Sequence, residues 1–448
     1  MEKQEKLSLI DAVALGVGII IGASIFSLIG VDIQIAGRNL PEAFLLSGIV
    51  ALGIAYSYAK LGTIITSNAG PIEYALHAFG DNVFIGFLAT IYWISYVVSI
   101  ALFAFTFSSY LLGALGLEKN WLLHSVTNAT IISIFTALNF KGAKSVGNAE
   151  TVLVFLKLFI LFLLITAGLV ALKVEKLVPD LSQEGLRKLV TAATLTLLSY
   201  AGFGVITNAS ENIENPKRNV PLAIYLSLLI SLIVYLLISI VAVGATEIGN
   251  VVKYKDYALA VIARPLLGDL GFYLVSFGAL VSTLSALNSA LYGGANVAYA
   301  LAKKGELPRV FERKVWFGEP EGLFITAILG FLLSVSLNIE GIAELTTFSI
   351  IIVYLAVIAS HWKLRKYTNG NSFIISLSII AVSLMSANLL YYTYITNEKA
   401  FWTSVVAILA SVAFEIVYRG FTGRGFSKRA SEWYRRARGI RKSNHKSS

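Results

Sequence analysis

The sequence predicts an all-α polytopic membrane protein. It has twelve transmembrane helices, arranged as an inverted repeat of five plus five with two C-terminal helices appended, and its first and sixth helices are discontinuous. Three observations predict this. Apolar runs of about 20 residues recur along the whole chain, long enough to cross a hydrocarbon core roughly 30 Å thick. A segment of the first half returns 180 residues later. Glycine clusters occupy corresponding points of the first and sixth runs.

The composition supports the class before any span is drawn. Of 448 residues, 56% are hydrophobic and 14% charged, too few charges to cover a soluble protein of this size. There is no Cys, which excludes disulfides, thiolate nucleophiles and Cys-ligated metals. The N-terminus MEKQEKLSLIDAVALGVG lacks a short apolar region followed by a small-residue cleavage site, so the first span is expected to stay as an anchor. Of the net charge of +10, the segment 419–448 supplies +9, from ten Lys/Arg against Glu432. No nucleic-acid-reading fold accompanies it. A cytoplasmic tail lying near anionic lipid headgroups accounts for it more simply.

Hydropathy places the spans near 11–30, 43–66, 84–112, 122–140, 149–172, 189–209, 221–245, 270–302, 321–339, 342–362, 372–393 and 400–418. The third and eighth are long enough to be tilted. With the N-terminus inside, cytoplasmic segments carry 24 Lys/Arg and external ones 10, or 14 against 10 without the tail. Both termini are therefore expected to be cytoplasmic.

The repeat joins "GRNLPEAFLLS" at 37–47 to "KRNVPLAIYLS" at 217–227. Arg38 and Arg218, Asn39 and Asn219, Pro41 and Pro221, Ala43 and Ala223, and Ser47 and Ser227 share one offset, as do Gly22 and Gly202. Five spans is an odd number, so the second copy enters the membrane from the opposite side. The expected units are 1–175, 186–365, an appended pair over 370–418, and the basic tail 419–448.

Span one, ALGVGIIIGASIFSLIG, carries Gly16, Gly18, Gly22 and Gly30; span six, TLTLLSYAGFGVITNAS, carries Gly202 and Gly204. One such cluster would read as tight helix packing. Two in corresponding repeats point to paired broken helices at a binding site. A helix broken in lipid leaves N–H and C=O groups that need partners. Amides of Ala23, Ser24 and Ile25, beyond a break at Gly22, would face an anion such as a carboxylate. Carbonyls ahead of Gly202, around Tyr200 and Ala201, would suit an ammonium. A site with both poles fits a zwitterion such as an amino acid. Tyr200 and Phe203 are placed either to cover it or to pack as ordinary core aromatics.

Enzyme signatures are missing: no HExxH, no Gly-x-Ser-x-Gly, no phosphate-binding loop. No metal site or cofactor is expected. His77, His124, His361 and His445 are scattered and read as interfacial residues, while Glu211 and Glu214 read as partners of Lys217 and Arg218. Two lysines, Lys60 and Lys157, stand well inside spans. Each could snorkel to the interface on its long stem.

These residues resemble the amino acid–polyamine–organocation (APC) transporters. "GVGIIIGASIF" is similar to their first-helix motif. "SYAGFGVITNASENIENPKRNVP" is similar to their sixth helix and following loop, and "GGANVAYALAKKGELP" (293–308) to the end of their eighth. The similarity runs from about residue 7 to 420 and is closest to the ApcT-type, broad-specificity, proton-coupled members. The fold it implies is the five-plus-five inverted repeat shared with sodium-coupled transporters. Many relatives carry Glu or Asp where this chain has Gly204, which argues against cationic substrates.

The resemblance also separates the lysines. It implies that Lys157 stands where sodium-coupled members hold sodium, its ammonium bridging the Gly18 carbonyl and the Ser282 hydroxyl, with Ser285 a further candidate. The function it implies is proton-coupled symport of amino acids, mainly neutral ones, by alternating access in the plasma membrane. The proton gradient is the coupling ion, and the partners are a small-molecule substrate and the lipid bilayer, not nucleic acid. The rival readings are exchange or uniport on the same fold and, from another class, a channel or receptor. A selective channel would show a polar filter, and none stands out.

Overall fold

The structure, a computed structural model, describes residues 6–67, 70–117, 120–139, 146–303, 305–314 and 320–422. Most of the basic tail therefore lies outside the described residues. Among those described there are helices and two isolated bridges, Leu7–Ile213 and Lys314–Pro320, but no strand. Lipid leaves the backbone no other partners, so each run satisfies its own amides as helix.

The chain begins with α1 (Leu9–Ala36), α2 (Leu40–Gly62), the short α3 (Pro71–Phe79), α4 (Val83–Ala114), α5 (Trp121–Asn139) and α6 (Val146–Val170). Then follow α7 (Gln183–Thr196), a 3-10 turn over Leu197–Tyr200, and α8 (Phe203–Asn208). The remainder is α9 (Pro216–Gly244), α10 (Ile248–Lys253), a 3-10 turn over Lys255–Tyr257, α11 (Ala258–Lys303), α12 (Glu321–Ser336), α13 (Ile339–Thr368), α14 (Ser372–Thr396) and α15 (Glu398–Thr422). Each expected span overlaps helical residues. Ten stretches among the described residues are long and apolar enough to cross a membrane; α1 and α2 form one of them together, and α12 is shorter.

Local chemistry sets several ends. Ser8 and Asp11 close a reciprocal capping box at the start of α1, with Ser8 donating its amide to Asp11 at 2.9 Å and Asp11 donating its own to Ser8 Oγ at 3.3 Å. Leu7 pairs with the segment after α8, so α1 and α8 enter from one face of the bundle. That face also carries Arg419 at the end of α15. Its guanidinium is buried among Asp81 (2.6 Å), Glu306 (3.6 Å) and Glu415. At the opposite face Asn39 fastens the α6–α7 connection, donating to the carbonyls of Asp180 (2.9 Å) and Gly185 (3.0 Å). Hydrogen bonds from the Ser182 hydroxyl and amide hold the Asp180 carboxyl below the ordinary aspartate range.

One expectation needs extending and one correcting. The eighth span, 270–302, is continuous helix, but α11 extends ahead of it through a kink at Gly268, whose φ of 68° is in the left-handed region. The expected start at 270 falls just after that kink. The first span is not discontinuous: α1 runs helical through Gly22 from Leu9 to Ala36. The sixth span is broken, by a 3-10 turn tightening into extended backbone at Ala201 (ψ 113°) before α8 begins.

The helix α1 sits at the centre, packed by α6, α7, α9 and α11. Its residues Ile20, Ile21, Ile25, Phe26, Ile29 and Ile33 are all buried in one apolar cluster with α2, α9 and α13. The matched serines of the two repeat segments behave alike. Ser47 donates back to Ala43 O at 2.9 Å, and Ser227 to Ala223 O at 2.7 Å.

Candidate functional site

The site is built where unbroken α1 passes the gap between α7 and α8. Gly202 stands in that gap because of a close approach: a Cβ there would lie 2.6 Å from Ile20 Cγ1 and 3.1 Å from the Ile20 amide nitrogen. The interruption thus presses directly on the middle of α1. As the first turn of a new helix, α8 leaves its leading amides outside the ladder. Ala201, Gly202 and Gly204 are partly exposed, whereas Tyr200 and Phe203 are buried.

Four carbonyls of α1 receive side-chain donors from four other helices; one, Phe26 O, takes the Tyr110 hydroxyl of α4 at 2.9 Å, and three lie beside the gap. Lys157 of α6 donates its Nζ to Gly18 O at 2.7 Å. Tyr235 of α9 donates to Ile20 O, and Ser282 of α11 to Gly22 O. These donors are compatible with an unbroken α1. A carbonyl can accept a second hydrogen bond without leaving the helical ladder, and one glycine among isoleucines permits a break without forcing one. The consequence is a correction: the backbone of Ala23, Ser24 and Ile25 belongs to the helix and does not present free amides to an anion. The side chain of Ala23 lies outside the described residues.

Lys157 is 2% exposed, in the middle of the bundle, so its stem does not carry the charge out to an interface. Its Nζ lies 2.6 Å from where a Cβ on Gly22 would stand, and Ser282 Oγ lies 3.3 Å from the same point. Lys157 and Ser282 therefore close on Gly22 from two helices. Ser282 is buried, and Ser285, one turn on, is half-buried. By contrast Lys60 is half-buried, 5.8 Å above the Tyr56 ring.

The aromatic residues divide between two places. Tyr200 donates its hydroxyl to Phe44 O of α2 at 2.9 Å and packs its ring against Tyr235 at 5.2 Å. Phe203 lies on the termini-bearing side of the gap, stacked on Tyr354 at 5.6 Å and edge-on to Tyr58 at 5.0 Å. One turn deeper, Asn208 donates to the hydroxyls of Tyr92 (2.7 Å) and Tyr96 (3.1 Å). Gly70, at φ 50°, leaves room for Asn208 where a Cβ would lie 2.0 Å from its Oδ1.

Tyr235 is the site residue that sequence reasoning missed. Its hydroxyl and that of Ser24 are 2.8 Å apart, and both are in hydrogen-bond reach of the carbonyls of Ile20 and Ser199. From α9 it bridges α1 and the broken helix, beside the direct bond from Ser24 Oγ to Ser199 O at 3.1 Å. In the sequence the only signal was a tyrosine in mid-span, where a polar tip needs a partner. Tyr235→Phe is expected to loosen this joint by about 1–3 kcal/mol, leaving two carbonyls with fewer donors. The measure is thermal unfolding in detergent; an unchanged melting temperature would make the hydroxyl dispensable.

His361, expected at an interface, is instead buried between Ser57 (3.0 Å) and Thr368 (3.1 Å). No group of three or more metal-ligating side chains occurs among the described residues.

Comparison with known proteins bears on the family and the fold. A family model described as amino acid permease matches residues 7–414. The uncharacterized protein MJ0609 of Methanocaldococcus jannaschii is 50% identical, over 95% of this chain and 98% of its own. The inner membrane transport protein YbaT of Escherichia coli is 29% identical, over 92% and 96%. Among solved structures, a manganese transporter of Eremococcus coleocola superposes with a TM-score of 0.59, covering 92% of this chain and 94% of that one at 13% identity. At that identity the likeness shows the fold alone.

Proposed function

The chain belongs to the amino acid permease family and is a multi-pass membrane transporter, and from that premise we propose that it is a proton-coupled symporter of broad specificity for mainly neutral L-amino acids. The observation that carries the coupling is the Lys157 ammonium, buried against Gly18 O and beside Gly22. Protonated, it ties α6 to α1; without its proton it loses the charge that strengthens the bond to the carbonyl. A tie that depends on a proton biases one arrangement of α1 over another, which is what alternating access requires.

Substrate recognition rests on the gap at Ala201–Gly202. Its backbone groups are the polar atoms offered to the amino and carboxylate ends of a substrate, while Gly204 leaves no acid for a cationic side chain. The face bearing the termini is cytoplasmic in this reading, the membrane is the plasma membrane, and the basic tail contacts anionic lipid. The two sequence repeats are the halves that exchange access.

The test uses the protein in liposomes without sodium. An acid exterior should drive accumulation of neutral amino acids, and a collapsed pH gradient should stop it. A strict sodium requirement would defeat the coupling. Amino acid amides should compete poorly; competition equal to that of the free acids would remove the carboxylate from the recognition scheme.

A further inference from the structure

On the face away from the termini, a cavity that the transport scheme above does not use opens where α4 ends. Small residues make the opening. A Cβ on Gly113 would lie 3.0 Å from the Tyr257 ring, and Gly116, at φ 66°, would have nothing within 4 Å of a Cβ. Ala114 between them adds only a methyl group. The cavity measures about 770 Å³, within the range of small-molecule sites, about 300–1,000 Å³.

Its lining is rich in cations. Lys173 and Lys176 come from the α6–α7 connection and Arg264 from the start of α11, against one lining acid, Glu247, for a net charge of +2 among the described residues. Lys176 donates to Thr246 O at 2.9 Å and pairs with Glu247 at 2.6 Å. That bond and charge, and then the charge of Lys173, hold the Glu247 carboxyl below the ordinary glutamate range. Glu247 is thereby occupied, and Lys173 is exposed with no side-chain partner among the described residues. Arg264 gives its Nε to Asp269 at 3.0 Å and lays its guanidinium 4.2 Å over the Phe272 ring. The nearby acids Asp269, Glu175 and Asp256 are not part of the lining.

The other wall is aromatic. Tyr254, Tyr257, Phe272 and Tyr273 follow one another at ring separations of 5.8, 6.3 and 5.5 Å. Tyrosines with one apolar and one wet end settle where membrane meets water. Tyr273 also belongs to an exposed stripe on α11. Leu270 (80% exposed), Tyr273 (53%) and Phe277 (53%) share one helix face at steps of three and four. Such a stripe alone is what any lipid-facing helix shows. This one runs into a cavity lined by cations.

We propose that the cavity holds the phosphate headgroup of an anionic phospholipid, drawn from the leaflet on the face away from the termini, with an acyl chain along Leu270, Tyr273 and Phe277. Lys173 meets the phosphate with its ammonium, and Arg264 with the N–H groups that Asp269 leaves unused. A free phosphate shares that chemistry, but the apolar stripe has no use for it. The site is on the face opposite the basic tail and does not depend on Lys157 or on the substrate.

The chain has no Cys, so a single introduced thiol reports alone. Ala114→Cys puts it in the cavity wall, and Leu181→Cys puts one on the same face outside the cavity, where Leu181 is 69% exposed. The whole chain, purified in a neutral detergent, reacts with a water-soluble thiol reagent while lipid is added. Phosphatidylglycerol should slow Ala114→Cys severalfold and saturably, and leave Leu181→Cys at its own rate. Phosphatidylcholine, whose phosphate carries its own cation, should act only at higher concentration. Glycerol phosphate, which has the phosphate without the chains, should not protect. Lys173→Gln should raise the phosphatidylglycerol concentration needed by about fivefold, and Lys173→Gln with Arg264→Gln by about 25-fold.

Equal slowing of both reporters would reduce the effect to micelle charge and overturn the proposal. Protection by glycerol phosphate at the same concentration would make this a site for a soluble anion, and equal potency of phosphatidylcholine would take the net charge out of recognition; either overturns the anionic lipid. Unchanged protection in Lys173→Gln does the same, and that exposed single change decides if the double variant is not recovered. Lipid bound by the tail, on the opposite face, leaves the Ala114→Cys rate as it was. Loss of proton-driven uptake would sink the symport reading and leave this result standing.

Discussion

Lys157→Ala is expected to abolish acid-driven accumulation while leaving the protein folded and able to exchange substrate. In the wild type, a pH step of one unit supports at most about a tenfold substrate gradient per proton; in the variant the internal and external concentrations should only equalise. The reason is geometric. Lys157 makes the one named bond between α6 and the Gly18 carbonyl, beside the glycine on which Ser282 also closes. Removing it takes away the proton-dependent tie but leaves Tyr235 and Ser282 on Ile20 and Gly22. The stability cost is that of one lost hydrogen bond, to a carbonyl that keeps its place in the helical ladder, and of a vacated stem, on the order of 1–3 kcal/mol. Lys157→Met separates the roles, since it fills the stem without the charge. Both variants should show counterflow of labelled substrate near the wild-type rate. Accumulation persisting in either would make the lysine structural, and loss of counterflow in Ala but not in Met would assign the Ala defect to packing.

The sequence exposed some parts of this site and hid others, for reasons particular residues make plain. The break in the sixth span was legible because Ser199, Ala201, Gly202 and Gly204 crowd small residues into six positions, and no run of apolar side chains holds a helix through them. Span one offered four glycines against two in span six, but a different outcome. Its Gly22 sits among isoleucines, and what occupies its carbonyls comes from Lys157, Tyr235 and Ser282, up to 260 residues away in the chain. Local pattern cannot register donors that arrive from other helices. The kink in α11 falls at Gly268, three residues after Pro265, and the expected span began just beyond it at 270; what hydropathy did not show is that helix also precedes the kink, from Ala258.

The strongest test of the gap itself is Gly202→Ala, expected to lower transport at least tenfold without unfolding the bundle. The added Cβ would meet Ile20 Cγ1 at 2.6 Å and the Ile20 nitrogen at 3.1 Å. The first contact is with a stiff, β-branched side chain in a core packed on every side, and the second is with the backbone of α1. Overpacking of this kind costs about 1–3 kcal/mol, roughly one to two powers of ten when it falls on a single conformation. Gly202 lies at the joint that Tyr235 and Ser24 fasten to Ser199 and Ile20. The strain should therefore disfavour the arrangement in which α8 rests on α1, and slow the cycle there. A companion change, Ile20→Ala, removes Cγ1 and should restore part of the rate to Gly202→Ala. It cannot restore all of it, because the 3.1 Å approach to the Ile20 nitrogen remains. Equal rates for Gly202→Ala and wild type would mean that the gap does not press on α1 during transport. Failure of Ile20→Ala to improve the variant would place the strain elsewhere.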